Sequence, residues 1–160
     1  MYKNQGFKAI KMKVGLDIET DVKHVEAVAE AIGPETKLMI DANHAYNLKE
    51  ATELCQRLEH LSITWFEEPV SPELYNHYAQ LRSRSKIPIS GGECEYLRFG
   101  FLQLFQSKSV DIAQPDVASC GGITELKRIA TMANTFGVEI IPHSWGTGIA
   151  LHAAMHVIGM

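Results

Sequence analysis

The chain has 160 residues, of which 46% are hydrophobic and 21% are charged, as in a globular protein with one ordinary core. Its formal net charge of −4 gives no basic surface, which argues against a nucleic-acid partner. The sequence contains no apolar run of membrane-spanning length and no signal-peptide pattern. We therefore expect a cytoplasmic protein with no membrane partner.

Six short apolar segments alternate with six amphipathic segments along the chain. A repeat of about 26 residues fits one strand followed by one helix. The apolar segments end at Lys13, Asp41, Glu67, Glu93, Asp116 and His143. The amphipathic segments predict helices over residues 18–32, 48–61, 71–82, 96–106, 123–136 and 148–158, the third of them with Pro72 in its first turn.

The apolar segments are short, continuous and often β-branched, which is typical of parallel strands buried on both faces. This pattern predicts an α/β fold, a parallel βα-barrel of which the chain supplies about six βα units. Because six units cannot close an eight-stranded barrel, we expect a central piece of a larger protein. The alternative is a complete six-stranded doubly wound domain, which would also bind ligands at the strands' C-terminal ends.

Three of the strand-end residues are carboxylates on consecutive predicted strands, namely Asp41, Glu67 and Glu93. Neighbouring strands lie about 4.8 Å apart, so these groups would repel one another unless a cation lay between them. Ligation by oxygen alone favours a hard divalent ion, and we predict a Mg²⁺ site. Glu68 follows Glu67 on the same strand and is expected to point to the opposite face, in a supporting position.

Two pairs of residues are candidates for acid–base work. Lys11 and Lys13 share one face of the first strand, and their proximity would lower an ammonium pKa and produce a base. The alternative is an exposed edge strand with basic flanks. Asp116 and His143 end successive strands, where the carboxylate can fix the orientation of the imidazole.

The remaining candidates lie beside these residues. Asn43 and His44 follow Asp41 at the predicted mouth of the barrel and are expected to bind substrate. The three cysteines form no Cys-x-x-Cys pair and are predicted to be reduced packing residues.

Lys13 and His143 would face each other across a closed ring with the metal strands between them. Such a site can remove a proton from either face of a bound carbon, and a metal that chelates the carboxylate on that carbon would stabilise the resulting enediolate. The residues therefore predict metal-assisted proton abstraction α to a carboxylate.

Taken together, these motifs resemble the enolase superfamily, in its mandelate racemase and muconate-lactonizing branch, over essentially the whole chain. The matching segments are Lys11-Met12-Lys13, Asp41-Ala42-Asn43, Trp65-Phe66-Glu67-Glu68-Pro69, Gly92-Glu93, Gln114-Pro115-Asp116 with Gly121-Gly122-Ile123-Thr124, and Pro142-His143. The resemblance implies that residues 1–160 form an incomplete C-terminal barrel domain of the TIM-like (β/α)7β type. It would lack the family's N-terminal capping domain and the last strand of the barrel.

The resemblance also implies a role for each matching residue. Asp41, Glu67 and Glu93 would bind Mg²⁺, with Glu67 rather than Glu68 as the ligand. Lys13 and His143 would be the two acid–base residues, with Lys11 lowering the pKa of Lys13 and Asp116 orienting His143.

Our leading functional hypothesis is a Mg²⁺-dependent sugar-acid dehydratase, in which Lys13 or His143 removes the C2 proton and His143 helps to expel the C3 hydroxyl. A racemase or epimerase would use the same site, as would a sugar-acid lactone cycloisomerase, which the PHSWGTG segment slightly favours. An alternative of another class is an inactive truncated fragment. We expect a small hydroxy-acid or sugar-acid substrate, and a homo-oligomer for the full-length form.

Overall fold

The computed structural model describes residues 5–159, in which six strands alternate with six helices. The strands are β1 (Ala9–Lys13), β2 (Lys37–Asp41), β3 (Ile63–Glu67), β4 (Ile89–Gly91), β5 (Ile112–Ala113) and β6 (Glu139–Ile140). The helices are α1 (Ile18–Ile32), α2 (Leu48–Leu58), α3 (Tyr75–Arg82), α4 (Leu97–Gln106), α5 (Gly122–Phe136) and α6 (Gly148–Ile158). The predicted alternation of strands and helices is confirmed.

The chain divides into two compact units, of which unit 1 ends at Ile89 and unit 2 begins at Ser90. The prediction of a single partial-barrel domain over residues 1–160 stays a prediction. None of the helices in the described part of the chain combines the length and the apolar character that a bilayer crossing requires.

The strands of unit 1 are parallel, and their register aligns the predicted site residues. Lys13 is the register partner of Asp41 between β1 and β2, and Asp41 is the partner of Glu67 between β2 and β3. Because parallel strands begin their next connection at the same edge of the sheet, these three strand ends form one row.

An irregularity in β3 is needed for that row. Leu38 pairs with Ile63, and Ile40 pairs with Phe66. Between these two pairs the chain advances by two residues in β2 but by three residues in β3. An uninterrupted register would place the apolar Phe66 beside Asp41 instead of Glu67. The extra residue therefore rotates the strand so that Phe66 enters the core and Glu67 adjoins Asp41.

Helices α1 and α2 of unit 1 begin at side-chain caps, and each buries one apolar stripe. Asp17 accepts a hydrogen bond from the amide of Thr20 at the start of α1, and Asn47 and Glu50 form a capping box on α2. The residues buried along α2 lie at helical spacing and pack into the core: Ala51, Leu54, Cys55 and Leu58.

The prediction for the third helix was wrong at its start. The amide of Leu74 donates to the carbonyl of Ser71 at 3.1 Å, so Pro72 is the second residue of a turn and not the first of a helix. Helix α3 begins only at Tyr75. The second helix likewise ends earlier than expected, at Leu58.

The strands of unit 2 are shorter than the sequence pattern indicated. Ser90 pairs with Ile112, and Ile112 pairs with Glu139, all in parallel. The expectation that Glu93, Asp116 and His143 end strands was wrong, because β4, β5 and β6 stop two or three residues before them. Asp116 and His143 each follow a proline, which has no amide hydrogen to extend the ladder.

An ion pair ties α4 to α5 in unit 2. Glu125 is buried at the start of α5 and accepts hydrogen bonds from the Arg98 guanidinium at 2.6 and 2.7 Å, and from the Arg98 amide at 2.9 Å. The hydrogen bonds from Arg98, with a smaller contribution from Arg128, lower the pKa of Glu125 from 4.5 to about 2.

This pKa predicts how the stability of the protein depends on pH. The folded state favours the charged Glu125, so its contribution is present above the ordinary pKa of 4.5 and is lost as the pH falls through about 2. We expect Glu125→Gln to lower the free energy of unfolding at neutral pH, with a difference from wild type that narrows below pH 4.5. Denaturant unfolding at several pH values measures this difference in the free energy of unfolding. Glu139→Gln, at an exposed position, is the control and should show no such dependence on pH. A difference that stays constant down to pH about 2 would contradict the assignment.

Candidate active site

The strand ends of unit 1 bring two lysines against two carboxylates. The Lys13 Nζ lies 2.7 Å from Asp41 Oδ2, and the Lys11 Nζ lies 3.1 Å from the same oxygen. Lys11 also donates to Glu67 Oε1 at 2.5 Å. We call these four residues the lysine–carboxylate cluster. The predicted shared face of Lys11 and Lys13 is confirmed. The alternative, in which these lysines are only the basic flanks of an exposed edge strand, does not account for their contacts with buried carboxylates.

Burial sets the electrostatics of this cluster. The side chain of Glu67 is 0% exposed and that of Asp41 is 3% exposed, so their charges need partners inside the protein. Burial alone would raise the pKa of Asp41, but the hydrogen bond from Lys13 and the charge of Lys11 hold it below its usual value. Burial likewise opposes the charge on Lys11, and Glu67 and Asp41 outweigh it and raise the Lys11 pKa. Lys11 is therefore a permanent cation beside Lys13.

Trp65 belongs to the same site, although the sequence analysis gave it no role there. Its indole Nε1 donates to Glu67 Oε2 at 3.0 Å, so that Lys11 and Trp65 occupy one oxygen of Glu67 each. The signal was present in the sequence, because residues two apart on a strand share a face.

Glu68 holds the loop that follows β2. It lies just beyond the end of β3 and has a positive φ of 41°, so the strand alternation that predicted its direction does not apply to it. Its carboxylate accepts from Asn43 Nδ2 at 3.2 Å and lies 3.2 Å from His44 Nδ1. Asn43 and His44 also have positive φ values, which this buried carboxylate helps to maintain. The predicted supporting role of Glu68 thus has a structural basis.

Unit 2 contains a histidine between two carboxylates. His143 Nδ1 lies 2.7 Å from Asp116 Oδ2, and His143 Nε2 lies 3.2 Å from Glu93 Oε2. Asp116 is itself fixed by the amides of Ala118 and Trp145, which donate to its two oxygens at 2.7 and 3.2 Å. We call Glu93, Asp116 and His143 the histidine–carboxylate cluster. The predicted Asp116–His143 contact is confirmed.

The cysteines are free and offer no nucleophile in the core. Cys55 and Cys120 are buried, and burial raises the pKa of each thiol to about 11. Both are therefore neutral packing residues at physiological pH, as predicted. Cys94 is exposed.

The two carboxylates of the lysine–carboxylate cluster suit a hard divalent cation. Asp41 and Glu67 in unit 1 are oxygen donors, and each lies against the ammonium group of a lysine. In unit 2, Glu93 supplies a further carboxylate, which lies 3.2 Å from His143 Nε2. Lys11 thus holds positive charge at the oxygens of unit 1 that a Mg²⁺ ion would bind.

Comparison with known proteins gives the chain a family. The model of the family described as "Enolase C-terminal domain-like" matches residues 1–160. The D-galactarolactone cycloisomerase of Agrobacterium fabrum is 48% identical over 151 residues, which are 94% of this chain and 40% of that protein. The arabinonate dehydratase of Saccharolobus solfataricus is 39% identical over 157 residues, which are 98% of this chain and 42% of that protein.

Solved structures agree with this family. The crystal structure of the 3,6-anhydro-D-galactonate cycloisomerase from Zobellia galactanivorans has a TM-score of 0.96 and 59% identity, over 98% of this chain and 45% of that chain. A mandelate racemase/muconate lactonizing protein from Paracoccus denitrificans, solved with magnesium, has a TM-score of 0.89 and 32% identity, over 94% of this chain and 43% of that one. The chain therefore spans less than half the length of the relatives it matches, and it has their parallel α/β fold.

The contact between Asp116 and His143 predicts the tautomer of the histidine. A carboxylate at Nδ1 keeps the proton on that nitrogen, whereas the amide of Asp116→Asn can donate to it and release the proton to Nε2. We expect ¹⁵N NMR to show the Nδ1–H form of neutral His143 in wild type and a shift toward Nε2–H in the variant.

His152 provides an internal reference for this measurement, because its Nδ1 lies 2.6 Å from the carbonyl of Gly148. Its tautomer should not change in Asp116→Asn. An unchanged His143 tautomer in the variant would contradict the proposed orientation by Asp116.

Proposed function

The chain belongs to the enolase C-terminal domain-like family, in the mandelate racemase and muconate-lactonizing branch of the enolase superfamily, and we propose that the whole protein removes the proton α to the carboxylate of a sugar acid. One observation carries this proposal: a lysine at a strand end lies 2.7 Å from a buried carboxylate, in one row with a second buried carboxylate. Burying charged groups costs free energy, and apolar side chains would often stabilise the fold as well, so such a row favours a functional role over a structural one.

We propose Asp41, Glu67 and Glu93 as the residues that hold Mg²⁺. When bound, the ion would offset the charge that a substrate carboxylate gains as its α-proton leaves. Support comes from the oxygen donors described above and from a family member solved with magnesium.

Lys13 is proposed as one acid–base residue because of its accessibility. Its side chain is 67% exposed, against 34% for Lys11, so its Nζ can reach a substrate while Lys11 stays paired with Glu67. Lys11 then acts through its charge, next to Lys13, and does not transfer the proton itself.

His143 is proposed as the second acid–base residue. Asp116 holds its Nδ1, which leaves Nε2 as the nitrogen that exchanges a proton with the substrate. In unit 2 that nitrogen lies beside Glu93, so His143 would act next to one of the proposed metal ligands. Asn43 and His44, in the loop held by Glu68, are proposed to contact the substrate.

The fate of the substrate depends on the oxygen attached to the carbon beside the α-carbon. Once the α-proton has left, the electron pair can expel that oxygen, and a protonated His143 can supply its proton. If the oxygen belongs to a hydroxyl group, water leaves and the reaction is a dehydration. If the oxygen is part of a ring, the ring opens, no atom is lost and the reaction is an isomerisation.

We favour ring opening of a cyclic sugar acid, with dehydration as the second candidate. The two cycloisomerases are 59% and 48% identical to this chain, and the arabinonate dehydratase is 39% identical. Sequence analysis alone placed dehydration first. A racemase remains the third possibility, in which the opposite base returns the proton.

The proposal predicts the products that the whole protein forms with Mg²⁺ in D₂O. We expect a 3,6-anhydro-aldonate or an aldarolactone to give a semicarbazide-reactive 2-keto acid with no loss of water by mass spectrometry. A keto acid lighter by one water, formed from linear aldonates, would indicate the dehydratase. Deuterium at the α-carbon without a keto acid would indicate the racemase, and no exchange with any of these acids would contradict the proposed function.

A matched pair of lysine variants tests the proposed base. Lys13→Met should lower kcat by about 10²-fold or more, the usual effect of losing a general base. Lys37→Met makes the same chemical change at the start of β2, on an exposed residue, and should leave kcat unchanged. Equal activity of the two variants would contradict the assignment of Lys13.

A further inference from the structure

Asp21, on helix α1, is a buried carboxylate outside the two clusters. It is 1% exposed, and one of its oxygens, Oδ2, accepts three hydrogen bonds. The donors are the amide of Gly15 at 3.0 Å, the amide of Leu16 at 2.9 Å and the hydroxyl of Tyr46 at 2.6 Å. Three donors on one oxygen satisfy the hydrogen bonding that a buried polar group requires.

These donors come from two different loops. Gly15 and Leu16 lie in the loop that follows Lys13, and Tyr46 ends the loop that follows Asp41. A single oxygen of Asp21 therefore joins the chain segments that leave two neighbouring strands of the lysine–carboxylate cluster.

The two loops are also in close contact at Gly15. This residue has a φ of +116°, and a Cβ built on it would lie 2.6 Å from the Cβ of Ala45. A larger residue at this position would push the loops apart, so the glycine permits the distance at which Asp21 can bind both.

Tyr46 extends the connection to the third strand of unit 1. Its amide donates to the carbonyl of Pro69 at 3.3 Å, just after Glu68, and its ring packs edge-on against Phe66, with the centroids 6.2 Å apart. The connections that follow β1, β2 and β3 thus all contact Tyr46 or its hydrogen-bond partner Asp21.

From these contacts we infer that Asp21 and Tyr46 are positioning residues for Lys13, an inference that rests on the proposed function. They form a clamp, defined here as Asp21, Tyr46 and the amides of Gly15 and Leu16. The clamp fixes the loop after β1 against the loop after β2, and so holds the Lys13 Nζ at its position beside Asp41. A displacement of a reacting group by about 1 Å can lower a rate 10²-fold.

Because the loop after β1 is exposed, loss of the clamp should affect this loop and not the rest of unit 1. Leu16 is 75% exposed, so its amide and that of Gly15 can bind water if Asp21 no longer accepts them. Loss of the clamp should therefore loosen the loop without unfolding unit 1. The position of Lys13 would change, whereas His143 lies in unit 2 and depends on Asp116 for its orientation.

Amide hydrogen exchange on the whole protein tests the clamp without any assay of activity. We expect the amides of Gly15 and Leu16 to exchange faster in Asp21→Asn and in Tyr46→Phe than in wild type. Tyr78→Phe is the matched control, because it also removes a buried hydroxyl of unit 1, which donates to the carbonyl of Val70 at 3.1 Å. Exchange of the Gly15 and Leu16 amides should stay at the wild-type rate in this variant. Unchanged exchange at Gly15 and Leu16 in both clamp variants would overturn the inference.

Proton exchange with the substrate tests the positioning role. Two acids epimeric at the α-carbon present their protons to the two opposite bases, and Lys13→Met identifies the epimer that depends on Lys13. We expect Asp21→Asn and Tyr46→Phe to slow α-deuterium exchange of that epimer about 10-fold or more. Exchange of the other epimer should stay within about twofold of wild type, a split that a general loss of folded protein cannot produce.

The outcomes separate this inference from the proposed function. If both epimers slow equally, the clamp has only a structural role and the positioning inference is wrong. If wild type exchanges neither epimer, the proposed function is wrong. Amide exchange then still decides whether Asp21 and Tyr46 hold the loop.

Discussion

The structure of unit 1 is organised around two carboxylates, Asp41 and Glu67, that are buried side by side. Such a pair is unfavourable unless positive charge lies against it, and Lys11 supplies that charge by contacting both. The extra residue in β3 is what brings Glu67 next to Asp41. The same need for positive charge explains why these residues fit a metal ion, which would satisfy both carboxylates with one centre.

The sequence predicted the features that depend on local periodicity. The shared face of Lys11 and Lys13 follows from the two-residue repeat of a strand, and helix α1 begins and ends where its cap and its apolar spacing indicate. The contact of Trp65 with Glu67 could have been predicted by the same rule. The irregularity in β3 could not be predicted, because it becomes visible only when β3 pairs with β2.

Other features depend on the backbone conformation of single residues. Strand alternation does not apply to Glu68 because this residue follows the end of β3 and has a positive φ. Strands β5 and β6 were predicted too long because a proline follows each of them. Positive φ values also shape the loop that carries Asn43 and His44. The product depends on where the leaving oxygen of the substrate lies, and loops of this kind determine that position. The strand ends therefore indicate proton abstraction more clearly than they indicate the product.

The account depends on the proposal that Asp41, Glu67 and Glu93 hold one divalent ion. Mn²⁺ prefers the same oxygen ligands as Mg²⁺ and scatters anomalously, so diffraction from crystals of the whole protein grown with Mn²⁺ locates the ion directly. We expect a single anomalous peak at bonding distance from an oxygen of each of the three carboxylates. A peak at another position, or a peak that lies beyond bonding distance of any one of these three carboxylates, would contradict the account.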